Sequence, residues 1–442
     1  MKSVKKVLES EQEKEMRRIF LDQSSQISED RRNYQKPGNK IGLELECHIA
    51  EKETLDLAPE SVRNSLTTNH GNTFGKELGA SQLEIRTEPM ITDKDVFEIL
   101  YEDLKSSQKL ARSLIGNDYT ILNMGFHPLA EFNPAKRTST EEKYKLVPDF
   151  HNEYESELVR KFFQHGVDLG DAGIMGLANS VQCNIEAKSL GDAVDKQNRS
   201  FHISPYIWAL ASNAKFVGGR DIGFEDIRMK AWEVSHDTRD LEEVLSETPI
   251  RVGLPKDYDN SIEDYFRRVA EHPFILSDKD HAFEIGIGLN WNDTRIKFNR
   301  NSKTSIVEFR PISTQPSTQE NIALMAFYVG RLLYSQKTGE KLLPMQLVNH
   351  NREEVMKYGL DSRLYSYEGN RIKLVEFRNI AERELRNAEL GLLSEGMKKY
   401  GFNILKKRIQ NGNPSNKLSR IIHSKGYNTK SVRESTKEIC GI

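Results

Sequence analysis

The chain has 442 residues, 37% of them hydrophobic and 29% charged, with 64 basic against 66 acidic side chains and a formal net charge of −2. That balance carries no polyelectrolyte signal, so nucleic acid is not an expected partner, and no apolar run is long enough to span a bilayer. The start of the chain lacks the apolar centre of a signal peptide, and three cysteines at unrelated spacings (Cys47, Cys183, Cys440) make neither a disulfide framework nor a metal-binding pair. The expectation is a soluble cytoplasmic protein.

In chain order, residues 1–22 carry Val4, Val7, Leu8, Met16, Ile19 and Phe20 as a loose helical stripe, fit to dock on the body or on a second subunit as a homodimer. Polar residues 24–39 with Pro37-Gly38 predict a linker. In Ile41–Ile49, a strand would put Ile41, Leu43, Leu45, Cys47 and Ile49 on one face and Glu44, Glu46 and His48 on the other. The alternation recurs in Ser81–Thr87, where Glu84 and Arg86 share the polar face, in Ser180–Glu186 with Gln182 and Asn184, and in Ser305–Pro311 with Glu308 and Arg310. Between them the pattern predicts a long helix from Thr92 to about Gly116, a strand from Tyr119 to His127-Pro128, a helix near Tyr154–Gln164, and one from Pro205 to about Val217. Phe283–Asn290 and Asp293–Asn299 read as a hairpin, Thr318 starts a helix, and the chain after Gly339 reads as mostly helical.

Glu44 and Glu46 alone, about 7 Å apart on one strand face, fit an edge strand with a solvated acidic face as well as a metal site. Four strands change the argument. If they share a sheet, their polar faces line one cavity in which carboxylates need more compensation than two arginines give. Mg²⁺, or Mn²⁺, suits oxygen-only ligands, and the interleaved arginines suit phosphate. The implied ligand is a metal–polyphosphate, held without a Walker loop, kinase signature or Rossmann fingerprint.

A series of motifs adds to this: Gly42-Leu-Glu44-Leu-Glu46, Gln82-Leu-Glu84-Ile-Arg86, Phe126-His127-Pro128, Ser180-Val-Gln182-Cys-Asn184, Phe216 to Gly223 with Arg228 beyond, Arg251-Val-Gly253-Leu-Pro255 and Val307-Glu308-Phe-Arg310. In order and spacing it resembles the glutamate–cysteine ligase 2 family, which includes carboxylate–amine ligases and plant-type glutamate–cysteine ligases. The resemblance implies an α+β, glutamine-synthetase-like fold: a curled antiparallel sheet, flanked by helices, forming a funnel for ATP and two or three Mg²⁺ ions. It divides the chain into an N-terminal arm and linker (1–39), a catalytic domain (40–340) and a C-terminal helical region packed on it (341–442).

By position, the resemblance implies metal ligands at Glu44, Glu46, Glu84, Asn184 and Glu308, catalytic roles for Arg310 and Arg86, and substrate-side roles for Arg220, Arg228, His127, Tyr144 and Gln182. Small-molecule amino acids and ATP are the implied partners, with glutamate and cysteine as default substrates. Departures sit on the substrate side: Ala214-Lys215 for Ser-Pro, Asp226 for a small hydroxyl residue, and Ser313 for an aspartate. They leave room for another acid and amine, or for a silent nucleotide-binding homologue acting as a partner protein. Plainer roles also stand: Arg86 as an ion-pair partner of Glu84 or Glu46, Arg220 as a turn cap, and His127 as a satisfied structural histidine.

Overall fold

The structure is a computed structural model, and it describes residues 7–130, 138–154, 163–164, 167–246, 248, 250–276 and 278–442. The elements that position the site are helices α1 (Glu11–Glu29), α2 (Val96–Leu114), α3 (Glu142–Tyr154), α4 (Leu190–Ala211), α5 (Arg228–Ser235), α6 (Ala282–Gly288) and α7 (Thr318–Thr338). The strands are β1 (Lys40–Glu51), β2 (Phe74–Lys76), β3 (Gln82–Arg86), β4 (Met90–Ile91), β5 (Tyr119–Leu122), β6 (Ser180–Glu186), β7 (Thr294–Asn299) and β8 (Thr304–Ser313).

The expected alternating strands all enter one eight-stranded sheet, in the order β7-β8-β6-β1-β3-β2, with β4 and β5 also pairing with β1. The pairings within it are antiparallel. Because side chains alternate across a strand, Leu43, Leu45, Leu83, Ile85, Val181, Cys183, Val307 and Phe309 fall on the apolar side and are almost wholly buried. Helices α2, α4 and α7 contribute the rest of that core, with Phe309 stacked on Tyr328 of α7 at 4.0 Å between ring centroids. A second cluster gathers around Phe20 of α1, whose ring stacks on Phe283 and meets Phe274. The N-terminal stripe therefore docks on the body of its own chain.

Several boundaries differ from the sequence reading. Helix α1 runs through Ser24 to Glu29 instead of giving way to a linker, because Ser24, Ile27 and Ser28 are buried. Helix α2 begins after Asp95 and not at Thr92. Helix α4 begins fifteen residues before Pro205, at Leu190, where the Ser189 hydroxyl accepts from the Asp192 amide. Its first half buries Lys196, Gln197, Asn198 and Ser200, so no amphipathic period marks it. Phe283 to Gly288 is helical, not the first strand of a hairpin: Phe283, Gly286 and Ile287 are buried at helical spacing, and a Cβ at Gly286 would strike the Phe20 ring. The true hairpin is β7 with β8. Helix α3 is described over Glu142–Tyr154, residues 155–162 of the helix expected there lie outside the described residues, and Phe163–Gln164 is a short strand. A hairpin, Arg363–Glu368 with Arg371–Glu376, interrupts the tail read as helical, its first strand burying Leu364 and Ser366 and its second mostly exposed.

Candidate active site

Strand register decides what meets across the polar face. Glu44 lies opposite Arg86 on one side and Gln182 on the other, and Glu46 lies opposite Glu84. One step along, Gly42, Asn184, Glu308 and Arg295 stand side by side across four strands. A cleft of about 870 Å³ opens over this face, lined among others by Glu44, Glu46, Glu84, Gln182, Tyr144, Arg228 and Arg310. Gly75 leaves the space that Glu84 and Arg86 fill: a Cβ there would collide with both side chains.

The carboxylates of the cleft fall into two kinds. Glu46 accepts from the Ser180 amide at 2.7 Å, the Ser180 hydroxyl at 2.9 Å and Gln182 Nε2 at 2.7 Å. Burial nonetheless pushes its pKa up to about 7, with the negative charge of Glu84 adding to the shift against the pull of Ser180 and Arg228. Glu77, which follows β2 and also lines the cleft, is raised well above the carboxylate range by burial and then by Glu84, Glu46 and Glu44. Glu44 is raised by burial and by Glu308 and Glu84, against the opposing pull of Lys297, whose Nζ donates to it at 3.0 Å.

Glu308 behaves oppositely. It is wholly buried, and burial alone would raise it, yet Arg295, Arg310 and Lys297 together hold it well below the ordinary range. Their contacts are Arg295 Nε at 2.5 Å, Arg310 Nε at 2.6 Å and Lys297 Nζ at 2.7 Å. Arg310 and Arg295 bring positive charge to the cleft wall. Arg86 pairs with Glu84, which is the plainer of the two roles expected of it.

A β-bulge between Phe309 and Ile312 inserts one extra residue into β8 at Arg310 and Pro311, and pairing with β6 resumes at Ile312 and Ser313. The carbonyls of Arg310 and Pro311 accept from the buried guanidinium of Arg228 at 3.0 and 2.8 Å. Arg228 starts α5, one turn before Trp232, whose ring lies 5.8 Å from the Arg310 guanidinium carbon. Trp232, His236 and Trp291 make an aromatic wall of the cleft. His236 stays uncharged, its pKa lowered to about 3 by burial and by Arg251.

Two expected residues lie elsewhere. His127 is buried and off the cleft lining, its Nε2 bonded to the Leu55 carbonyl at 2.9 Å and its Nδ1 accepting from the Ala130 amide, contacts that fit the structural role. Arg220 is exposed on a two-residue ribbon, Arg220–Asp221 with Phe216–Val217, which the Tyr427 hydroxyl ties down through the Asp221 amide. Tyr144 lines the cleft and donates to the Lys76 carbonyl at 2.6 Å. The departures at 226 and 313 turn out to be partners: the Ser313 hydroxyl donates to Asp226 at 2.5 Å, and Arg228 Nε reaches the same hydroxyl at 3.3 Å. Against the pattern that the resemblance implies, carboxylate and hydroxyl stand exchanged across one hydrogen bond, with the Asp226 carboxyl beside Arg228.

Sequence reasoning missed Glu77, Arg295, Lys297 and the aromatic wall. Strand β2 is too short to show alternation. Arg295 and Lys297 did alternate with Thr294 and Ile296, but basic residues on a strand read by default as solvated.

The donors suit a hard divalent ion. Glu46 on β1, Glu84 on the adjacent β3 and Glu77 just after β2 offer carboxylate oxygens, two of them with raised pKa, and the buried Oδ1 of Asn184 has no hydrogen-bond partner among the described residues. No three His, Cys, Asp or Glu side chains among the described residues are grouped as a finished metal site. Arg86 and Lys297 hold Glu84 and Glu44 in ion pairs, which accounts for that in part.

The profile of glutamate–cysteine ligase family 2 matches residues 40–435. The chain belongs to that family. It is an ATP-dependent ligase by that membership. A relative from Chloroflexus aurantiacus named "Putative glutamate--cysteine ligase 2" is 22% identical over 337 residues, 74% of each chain. One of similar name from Rubrobacter xylanophilus is 21% identical over 371 residues, covering 82% of this chain and 84% of its own. Among solved structures, the fold is similar to a glutamate–cysteine ligase from Francisella tularensis in complex with AMP, with a TM-score of 0.60, 14% identity, and coverage of 92% of this chain and 89% of that one. It is also similar to a bifunctional glutathione synthetase from Pasteurella multocida (TM-score 0.58, 12% identity, 95% of this chain and 54% of that one). These neighbours fit the α+β fold with a curled antiparallel sheet. No helix among the described residues is long and apolar enough to cross a membrane.

Proposed function

We propose that this ligase joins a carboxylic acid to an amine through an acyl phosphate, with glutamate and L-cysteine as the default pair and γ-glutamylcysteine as product. The observation that carries the reading is the shared polar face, which gathers Glu44, Glu46, Glu77 and Glu84 with Arg228 and Arg310 in one cleft. Glu46, Glu77 and Glu84, with the Asn184 oxygen as a further donor, would hold Mg²⁺ or Mn²⁺. Such an ion supplies charge neutralisation on the phosphates of ATP.

The chain's own groups do the rest. Arg310, fixed by Glu308 and by the bulge, faces the transferred phosphoryl group, where charge spreads over oxygens during transfer. Arg228 lies one side chain away and suits the carboxylate of the acidic substrate. Holding that carboxylate in line with the γ-phosphorus is most of the catalysis, since such positioning is worth about 7–11 kcal/mol. The amine then displaces phosphate, forming the amide and releasing inorganic phosphate. A cytoplasmic setting in the synthesis of a thiol peptide fits the default substrates.

The test is an enzyme-linked ADP assay with Mg²⁺ and amino acids supplied in pairs, each product identified by mass spectrometry. The reading requires ADP release that needs both an acid and an amine. Release with neither marks a hydrolase, and ATP binding without turnover for any pair marks a silent homologue.

A further inference from the structure

Lys297 lies between two side chains that the family resemblance casts as metal ligands. Its Nζ stands 3.0 Å from Glu44 Oε1 and 2.7 Å from Glu308 Oε1, on β7 beside the cleft that Glu44 lines. An ammonium in that position makes the same kind of contact that a hard cation bridging two carboxylates would make. It is not a loose surface lysine: its side chain is 27% exposed and Glu308 is 0% exposed.

The surroundings argue that the lysine stays. A carboxylate offers about four lone-pair positions, and those of Glu308 are engaged by Lys297 at Oε1, by Arg295 Nη2 at 3.4 Å at the same oxygen, and by Arg295 Nε and Arg310 Nε at Oε2. Arg295 is fixed in turn by the Gly288 carbonyl at 3.0 Å. A divalent ion placed between Glu44 and Glu308 would sit against an ammonium and two guanidinium groups, and the repulsion would outweigh what one shared carboxylate returns. On the other side of the floor, Glu46 has only neutral donors within hydrogen-bond distance.

We propose that the Lys297 ammonium is a built-in cation that takes the place of a divalent ion between Glu44 and Glu308, so that this chain recruits metal only on the Glu46, Glu77 and Glu84 side. The inference rests on the metal–nucleotide chemistry proposed above. It assigns Glu308 to anchoring three basic side chains, two of which, Arg295 and Arg310, line the cleft, and not to metal ligation.

The experiment counts Mn²⁺ bound per chain in the presence of a non-hydrolysable ATP analogue, reading free Mn²⁺ by electron paramagnetic resonance. Lys297→Met should take up one more Mn²⁺ than the wild type, and Lys297→Arg should keep the wild-type count. Equal, non-zero counts in wild type and Lys297→Met overturn the inference and leave the ligase reading standing. A wild type that takes up no Mn²⁺ with the nucleotide overturns both. Should Lys297→Met lose its cooperative melting transition, Glu44→Gln decides: an unchanged count supports the inference, and the loss of one Mn²⁺ overturns it.

Discussion

Glu46→Gln is the perturbation that most directly tests the electrostatics of the cleft floor. The Glu46 carboxyl is raised from its ordinary 4.5 to about 7. A folded-state pKa above the unfolded one means that the native state binds the proton more tightly. The stabilising contribution is complete below about pH 4.5, and it is lost as pH rises through about 7. At about 1.4 kcal/mol per unit, the ionised carboxylate costs the metal-free fold about 3 kcal/mol at pH 8. That figure is an upper bound, because water still reaches part of the side chain. Glutamine keeps the shape, and Gln182 can turn its amide over to accept from it. In urea denaturation with EDTA, Glu46→Gln should therefore be more stable than wild type at pH 8, with the difference vanishing near pH 4.5. With millimolar Mg²⁺ the order should reverse and ligase activity should be lost. A variant less stable than wild type at pH 8 in EDTA would refute the claim that Glu46 is held charged against its burial and the nearby Glu84.

Three further outcomes follow from the same geometry. Asp226→Ser and Ser313→Asp should each impair folding, while the double exchange recovers most of the loss, giving a coupling of about 1–3 kcal/mol in a double-mutant cycle; additive effects would show that the two positions do not act as a pair. His127→Ala should cost about 2–3 kcal/mol in urea denaturation by stripping the Leu55 carbonyl and Ala130 amide of their partner, with ADP release per folded molecule unchanged; a tenfold fall in turnover at full stability would return His127 to the substrate-side residues. Arg352, buried and bonded to Asp293 at 2.6 Å with Glu233 on its other side, should cost about 3–5 kcal/mol as Arg352→Met, since two carboxylates lose their cation; a change under 1 kcal/mol in the denaturation midpoint would contradict this.

Much of the site was legible because the sheet is two-faced. A period-two pattern fixes which residues share a side, so Glu44, Glu46, Glu84, Gln182, Glu308 and Arg310 could be collected before any pairing was known. Where a segment is buried on every side the period disappears, which hides the start of α4, whereas the helix at Phe283 keeps its period but has seven residues, two of them glycine, too few to separate from a strand. Glu77 escaped because it follows a strand of three residues, too brief to alternate. Lys297 shows another limit. Its alternation was visible, but only the fold reveals that its polar side faces carboxylates and not water. Arg220 and His127 entered by resemblance, and neither lies on the cleft.

The bulge in β8 ties two functions to one piece of backbone. In the proposed mechanism Arg228 receives the acid to be ligated, and the same guanidinium bonds the carbonyls of Arg310 and Pro311. Replacing Arg228 to suit a new acid would also slacken the arm that meets ATP. Diversification of acid preference within this scaffold is therefore channelled toward neighbours that bear no such double duty, with Trp232 and Trp291 the side chains best placed to vary.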